Sequence, residues 1–376
     1  MKAHLAAAIA ASALLTGAAV QAEPMDPAIE RLVLNGDDCH DGVGRIVGNR
    51  KCIEDNASFK KLINQYGFAF APNATHSART TGFGGFHVSV EAAYTSIDSD
   101  ADYWEKGTQG AVDPSTNASS VRNTGPADVL QLYSIKLRKS FGFGLEIAGM
   151  VGFMAETSLL SGGADVRFSL LEGFRTGVPG YLPDLAVGGG VRTLTGTPQF
   201  QLTVAGLDAQ LSKPIPIADS SIIIPYAGFQ YVWIWGDSGL VDLTPGTDPI
   251  QYCNYTGPNY PDNPDPDKEG YTGQPVCNGG SAQDFNNNRV FDKARLERHR
   301  LILGMNYRYE MVILGLHFIT DITDPGDAQV GNNSTQVATD WDDEGTVTET
   351  TEISDKDLLA NEPRQWTLVV QLGTMF

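Results

Sequence analysis

Positive charge is scarce in this chain of 376 residues. Lysine and arginine number 26 against 45 aspartates and glutamates, which gives a formal net charge of -19 at pH 7. Such a charge repels the phosphate backbone of nucleic acids and excludes a nucleic-acid binder that relies on general electrostatic attraction. Charged residues make up only 19% of the sequence and hydrophobic residues 41%, so the chain has enough apolar side chains to fold.

Long hydrophobic runs are absent beyond the N-terminus. No stretch after residue 22 approaches the roughly 20 apolar residues that a membrane-spanning helix needs, which excludes an all-helical membrane protein. The apolar stretch over residues 5 to 20 follows Lys2 and leads to small residues at Val20 and Ala22. This pattern predicts a secretory signal peptide, residues 1 to 22, cleaved after Ala22. A transmembrane anchor is the alternative, but the stretch is short and no stop-transfer charges follow it.

Cysteines are few, and their spacing contains no C-x-x-C pair for zinc and no C-x-x-C-H haem signature. Four cysteines allow three pairings. Each of two pairs lies in its own loop-like segment, so we predict two local disulfides in an oxidising compartment, Cys39–Cys52 and Cys253–Cys277.

The mature chain divides into two regions. Residues 23 to 82 are mixed in character, with short helices predicted over 27–34 and 57–66, and we expect a disulfide-stapled segment in the periplasm or in the lumen of a barrel. Residues 83 to 376 contain ten segments of two-residue alternation separated by turn-rich stretches. The ten segments cover residues 86–95, 129–139, 143–153, 166–170, 185–192, 200–204, 222–235, 298–309, 312–321 and 365–376.

One face of these predicted strands is apolar and the other carries charge, amide and glycine. In the sixth strand, for example, Phe200, Leu202 and Val204 form the apolar face. A soluble sandwich or barrel turns this face inward, whereas a transmembrane barrel turns it outward against lipid. The three longest links, over residues 96–126, 236–293 and 324–363, all follow odd-numbered strands and therefore fall on one end. This sorting is typical of an all-β, antiparallel transmembrane barrel with short periplasmic turns and long extracellular loops.

We expect about ten strands with both chain termini on the periplasmic side. A hairpin within residues 336–353 would raise the count to twelve, but we interpret it as an extracellular extension. Aromatic residues near strand ends suit the two membrane interfaces. These residues are Tyr94, Trp233, Trp235, Tyr307, Tyr309, Trp366 and Phe376.

The chain ends in Phe376, and alternate residues before it (Trp366, Leu368, Val370 and Leu372) are apolar. This terminal strand resembles that of bacterial outer-membrane β-barrel proteins. The resemblance implies a place in the outer membrane, among its lipids, with export through the inner membrane. It further implies that Phe376 belongs to the signal read by the barrel assembly machinery, with periplasmic chaperones as earlier partners.

A ten-stranded barrel is narrow enough to be filled largely by its own side chains. The polar faces place charged residues in this lumen: Arg167, Arg192, Arg298, Arg300, Arg308, Glu91, Glu146 and Asp321, together with His87, Lys136, Arg138, Glu310 and His317. They form either a network of ion pairs that plugs the lumen or the selectivity residues of a narrow, anion-preferring pore.

A tight turn at residues 310–311 fixes the register of the eighth and ninth strands. It sets Tyr309 opposite Val312 and pairs apolar residues with apolar residues along the hairpin. The same register sets Arg300 opposite Asp321, and we expect an ion pair between them.

The predicted external loops carry most of the acid. Residues 236–293 hold nine aspartates or glutamates against three basic residues. Residues 324–363 hold eleven, with Lys356 inside the range and Arg364 just beyond it as the basic residues. Asp262, Asp265, Asp267 and Glu269 alternate in a way that suits Ca²⁺, although they do not match an EF-hand loop. The alternative is a solvated acidic loop that binds no ion, and we expect no other cofactor.

No catalytic constellation stands out. His87 with Glu91, and His317 with Asp321, share faces at a spacing of about 13 Å along a strand, which is too far for direct proton transfer. The triple glycine at residues 188–190 lies inside a predicted strand, where close packing explains it. We therefore expect a non-enzymatic outer-membrane barrel that displays acidic loops, which are candidates for cation binding. The alternatives are a narrow porin-like channel and, less favoured, a barrel hydrolase, and the oligomeric state is left open.

Overall fold

The computed structural model describes residues 23–34, 53–111, 122–173, 182–243, 288–323, 335–341, 347–354, 359 and 362–376. None of the helices in these ranges is both long and apolar enough to cross a membrane.

Ten antiparallel strands close into a barrel, as predicted. Each pairs with its neighbour in the chain, and the last pairs with the first. The strands are β1 (Phe86–Ser96), β2 (Val129–Ser140), β3 (Leu145–Met154), β4 (Leu160–Leu171), β5 (Asp184–Thr195), β6 (Phe200–Ser212), β7 (Ser221–Ser238), β8 (Ala294–Tyr309), β9 (Val312–Asp321) and β10 (Trp366–Met375).

Apolar and polar residues alternate along the strands, and the apolar ones form a band on the outer face of the barrel. Leu303, Leu316 and Val370 are 47%, 49% and 47% exposed, whereas the residues between them face the lumen. An exposed apolar band around a closed sheet requires lipid as its neighbour, because water would leave this large surface unfavourably solvated. The prediction of an outward apolar face is confirmed.

The sixth strand is an exception. Phe200 is only 2% exposed, and Leu202 and Val204 are also buried inside the barrel, while Gln201 faces outward. The expected orientation of this stretch was wrong because the same end of the lumen contains an apolar helix, which these side chains contact.

Long connections gather at one end of the barrel. The links β1–β2, β3–β4, β5–β6, β7–β8 and β9–β10 lie at what we call the loop end, and the opposite end is the turn end. Within the β9–β10 link, Thr335–Trp341 pairs only with Val347–Ser354, so this hairpin is an extension and the barrel keeps ten strands. A short strand, Ile215–Ala218, pairs with the start of β7 at the turn end.

The N-terminal segment fills the lumen. Helix α1 (Asn56–Phe70) is capped by Asp55, whose side chain accepts from the backbone N–H of Ser58 at 3.0 Å. It matches the helix predicted over 57–66 and extends four residues further. Residues 71–82 then run toward the turn end, where β1 begins. We call residues 53–82 the plug.

The helix predicted over 27–34 is reduced to a single 3₁₀ turn, Ile29–Arg31. The chain leaves the helical path after this turn, since Leu34 N–H binds the carbonyl of Ile53 at 3.0 Å and the carbonyl of Leu32 accepts from Asp55 N–H at 2.9 Å. Tertiary contacts thus replace the helical ladder.

Residues 23–34 lie at the loop end, because Met25 N–H donates to the carbonyl of Glu156 in the β3–β4 link at 3.0 Å. This corrects the expectation that both ends of the mature chain lie on the same side. The C-terminal Phe376 does lie at the turn end, where it exchanges backbone hydrogen bonds of 2.8 and 3.0 Å with Phe86.

An apolar core occupies the loop-end half of the lumen. Its aromatic residues pack closely, with ring centroids 5.0 Å apart between Tyr66 and Trp104 and also between Phe59 and Phe291. Burying one large apolar side chain contributes about 1.5–3 kcal/mol, so this cluster fixes α1 firmly against the inner wall. Trp104 belongs to helix α2 (Asp102–Gly107) in the β1–β2 link, which covers α1 from the loop end.

Candidate functional site

The turn-end half of the lumen is polar, and its side chains hold the backbone of the plug. An extended segment inside a barrel has no sheet to satisfy its carbonyls, so they need partners from the wall. Four nearly consecutive carbonyls receive such donors: Gln230 to Pro72 at 2.9 Å, Lys136 to Asn73 at 3.1 Å, Gln210 to Ala74 at 3.0 Å and Arg167 to Ser77 at 3.1 Å.

Arg300 anchors the end of α1. Its guanidinium donates to the carbonyl of Phe68 at 3.3 Å and to Asn73 Oδ1 at 3.1 Å, and it lies over the Phe68 ring at 4.9 Å from the centroid. Carbonyls in the last turn of a helix lack helical partners, so this buried arginine satisfies one of them.

Five ion pairs connect the wall around the plug. Each joins residues whose side chains point inward: Arg138–Glu146 at 3.3 Å, Lys136–Asp165 at 3.1 Å, Arg192–Asp165 at 2.7 Å, Arg167–Asp208 at 3.0 Å and Arg298–Asp321. Burying a charge is costly unless it is paired or hydrogen-bonded, and these side chains meet that requirement.

Sequence reasoning placed most of these residues in the lumen but missed Asp165 and Asp208. Asp165 lies one position before the predicted fourth strand, and Asp208 lies beyond the predicted end of the sixth. Extending the alternation from Arg167 would have found Asp165, whereas Asp208 shares the face of Phe200 and Leu202 that was predicted to point outward.

The remaining lumen candidates occupy different environments. Arg192, Glu91 and Glu146 are buried among the ion pairs or against the plug, where Thr75 donates to Glu91 at 2.6 Å. Arg308 instead lies at the turn end and donates to the carbonyl of Glu310 at 2.9 Å.

The predicted register of β8 and β9 is confirmed, with Tyr309 opposite Val312 and Arg300 opposite Asp321. The expected ion pair between the latter two is not the one that forms. Asp321 pairs with Arg298, two residues earlier on β8, because Arg300 points toward the plug.

Histidines in the described ranges are not paired with a serine or a carboxylate. His317 Nδ1 lies 2.5 Å from the Tyr226 hydroxyl, and His87 Nδ1 accepts from Arg138 at 3.2 Å. Both histidines are buried beneath the plug. The described residues therefore present no base-and-nucleophile pair to a substrate.

The loop end is closed by a second polar cluster around Glu362, just before β10. Its carboxylate accepts from the Tyr103 hydroxyl at 2.6 Å and from Gln65 at 3.1 Å, and lies 3.4 Å from Lys61. Burial, and then the charge of Glu362, raise the pKa of Tyr103, which keeps its hydroxyl a donor. Because Gln65 and Lys61 belong to α1, this cluster ties the plug to two external links.

Free space beside the plug is small near Asn73, His76 and Asp208. A void of about 10 Å³ lies there between the plug and the wall, enough for about one water molecule. A larger pocket of about 420 Å³ opens at the turn end and is lined by Arg79, Glu172 and Arg308, among others.

Several predicted features lie outside the described residues. The cation candidates Asp262, Asp265, Asp267 and Glu269 do so, as do all four cysteines, and these predictions therefore stay untested. Within the described ranges, no three histidine, cysteine or acidic side chains are grouped so that they could hold a metal ion.

No protein-family model matches the sequence, and no curated protein matches it. Solved structures with some likeness include Ail of Yersinia pestis, 8% identical, aligned over 78% of this chain and 100% of that one with a TM-score of 0.22. OprG of Pseudomonas aeruginosa is 10% identical over 79% and 99% of the two chains, with a TM-score of 0.27. The translocator domain of the autotransporter NalP of Neisseria meningitidis is 10% identical over 85% and 97%, with a TM-score of 0.31.

TM-scores this low carry no argument about function. The closed strand pairing, the outward apolar band and the sorted loops carry the assignment instead: the chain forms a closed ten-stranded antiparallel β-barrel with an apolar outer face.

Proposed function

We propose that the protein is a non-enzymatic barrel of the bacterial outer membrane whose lumen is permanently plugged and whose acidic loops act at the cell surface. The occupied lumen is the observation that supports this most strongly. Residues 53–82 fill it, and wall side chains bind their carbonyls.

The arginines of the lumen are anchors in this proposal. Arg167 binds Ser77 and Asp208, and Arg300 binds Phe68 and Asn73, so their donors are engaged by the protein itself. A selectivity residue must exchange its partners for passing ions, whereas these side chains are committed to the plug. This favours a structural role over the porin-like alternative.

Conductance in planar bilayers tests the proposal. The purified full-length protein should give no steady single-channel current, and an R167A/R300A variant should give transient openings because the plug loses two anchors. Arg295 makes a matched control, since it faces outward and binds Gly236 and Asp237 at the loop end. R295A should stay silent, and a steady ohmic current from the wild-type protein would contradict the proposal.

The proposed orientation places the loop end outside the cell. An epitope inserted between Thr335–Trp341 and Val347–Ser354 should be stained on intact cells. The same epitope after Phe141, in the β2–β3 turn, should be stained only after permeabilisation. The reverse staining pattern would place the acidic loops in the periplasm and refute surface display.

Divalent cations are the proposed ligands of the acidic β7–β8 link. Alternating carboxylates at residues 262, 265, 267 and 269 offer the oxygen ligands that Ca²⁺ prefers. Ca²⁺ should slow protease cleavage of this link relative to chelator, and D265N/D267N should abolish the protection, while the isolated D248N should retain it. Equal cleavage rates with and without Ca²⁺ would contradict cation binding and support the alternative, a solvated acidic loop that binds no ion.

A further inference from the structure

The first described residues occupy a shaped site at the loop end of the barrel. The carbonyl of Pro24 accepts from Gly110 N–H at 2.8 Å and from Asn123 Nδ2 at 3.2 Å. Met25 is buried, and its carbonyl accepts from the Tyr66 hydroxyl of α1 at 3.2 Å. The chain immediately after the predicted cleavage position is therefore held by the β1–β2 link and by α1.

Asp26 is the charged residue of this site. It is only 7% exposed, and its carboxylate accepts from the backbone N–H of Ser158 at 2.6 Å, from the Ser158 hydroxyl at 2.8 Å and from the backbone nitrogen of Glu23 at 2.9 Å. Across the described ranges, no lysine, arginine or histidine forms an ion pair with it. A buried carboxylate without a counter-ion is costly, so the site calls for a positive charge next to Asp26.

Cleavage after Ala22 would supply that charge. Hydrolysis of the Ala22–Glu23 peptide bond by a signal peptidase adds the hydroxyl of water to the Ala22 carbonyl carbon and a hydrogen to the Glu23 nitrogen. The resulting α-amine, whose usual pKa is about 7.7–8.0, takes up a further proton at neutral pH. Before cleavage the same nitrogen is an uncharged amide that donates one hydrogen bond.

We propose that the α-ammonium of Glu23 in the processed protein is the counter-ion of Asp26, so that removal of the signal peptide creates the ion pair that fastens the N-terminal segment at the loop end. The nitrogen already lies within hydrogen-bond distance of the carboxylate, so processing adds a positive charge at that position. Because Met25 binds Tyr66, the same ion pair holds the loop-end half of the plug.

Reactivity of the N-terminal amine tests this inference. The purified mature barrel is treated with a trace of acetylating reagent at neutral pH, and acetylation of the N-terminal peptide is followed by mass spectrometry. A protonated amine bound to Asp26 should react about tenfold more slowly than in D26N, which corresponds to about 1.4 kcal/mol. S158A is the matched control, since it removes a hydrogen bond to the carboxylate but leaves its charge, and it should keep the slow rate.

Equal rates in the wild-type protein and D26N would overturn the proposal, as would a mature chain that does not begin at Glu23. A second variant avoids any change to the site itself. A Gly-Ser dipeptide inserted between Ala22 and Glu23 displaces the ammonium and should lower the unfolding midpoint in the wild-type background but not in D26N. If D26N does not fold, the insertion alone decides, because an unchanged midpoint in the wild-type background refutes the ion pair. These results are independent of the conductance of the barrel.

Discussion

Arg167 and Asp208 lie two strands apart, on β4 and β6, and their side chains meet inside the barrel at 3.0 Å. The strand between them presents Gly188 at this point, where an added Cβ would lie 3.2 Å from the Asp208 carboxylate. Absence of a side chain on β5 thus allows an ion pair to cross it. Close packing thus explains Gly188 and Gly190 of the triple glycine, whereas Gly189 faces outward, where an added Cβ would lie 2.7 Å from Leu207.

Gly190 provides a direct test of this arrangement. An added Cβ there would overlap the Asp165 carboxylate, which pairs with Lys136 and Arg192. We expect G190V to lower the free energy of unfolding by about 3–5 kcal/mol, because it separates a buried ion pair. G149V is the matched control, since no atom lies within 4 Å of an added Cβ on that outward glycine, and its unfolding midpoint in urea should stay near that of the wild-type protein.

The contribution of Asp321 to stability should depend on Arg298 more than on Arg300, which lies opposite it in the strand register. Removing the carboxylate with D321N leaves a buried guanidinium unpaired and should cost about 3–5 kcal/mol. Double-mutant cycles should give a larger coupling for R298A with D321N than for R300A with D321N. The opposite ranking would mean that the carboxylate pairs along the register after all.

Leu316 lies at the middle of β9 and faces outward. If lipid surrounds it, L316R should lower the free energy of unfolding by about 2–4 kcal/mol. T195R, at the loop-end limit of β5, should lower it by only about 0–1 kcal/mol. Urea unfolding in lipid vesicles measures both. Equal costs at the two depths would argue against a membrane-embedded wall.

The stability of the folded protein should depend on pH through the carboxyl group of Glu30. Burial outweighs the stabilising effects of its hydrogen bonds and of Arg31, so the pKa of this carboxyl is raised above 4.5 in the folded protein. A raised pKa means that the folded state binds the proton more tightly than the unfolded state does. The stabilisation from protonated Glu30 is therefore present below the pKa of the unfolded state and is lost as the pH rises through the pKa of the folded state. E30Q should therefore be more stable than the wild-type protein at pH 7, and this advantage should vanish below about pH 4. Thermal unfolding across this range measures the difference, and an advantage that persists in acid would refute the cause.

Strand positions could be predicted because the wall has a simple physical requirement. Outward side chains midway along β8 to β10 face lipid and must be apolar, and this produces the alternation around Leu303, Leu316 and Val370. The same rule failed at Phe200 and Leu202, where the inner face is apolar and the outer face carries Gln201 and Thr203. Alternation alone cannot distinguish lipid from an apolar plug as the neighbour of a side chain.

Side-chain contacts inside the lumen could not be predicted from the alternation of apolar and polar residues. Register correctly set Arg300 opposite Asp321, but a long side chain reaches diagonal neighbours and plug carbonyls as easily as the facing residue. Helix α1 could be predicted from its own periodicity, yet nothing in residues 57–66 indicates that it lies within the barrel. Its place depends on contacts such as Gln65 with Glu362, which are nearly 300 residues apart in the chain.

The route of the N-terminal segment constrains how the molecule can be assembled. Residues 23–34 lie at one mouth, the plug crosses the interior, and β1 starts at the opposite mouth beside Phe376. The seam between β1 and β10 is the pairing that joins the first strand to the last. A helix with its side chains is about 10–12 Å wide. Threading α1 through a closed barrel would therefore break hydrogen bonds of both the helix and the wall. The seam therefore has to close around a helix that is already in place, which makes placement of the plug, residues 53–82, a precondition for sealing the last strand.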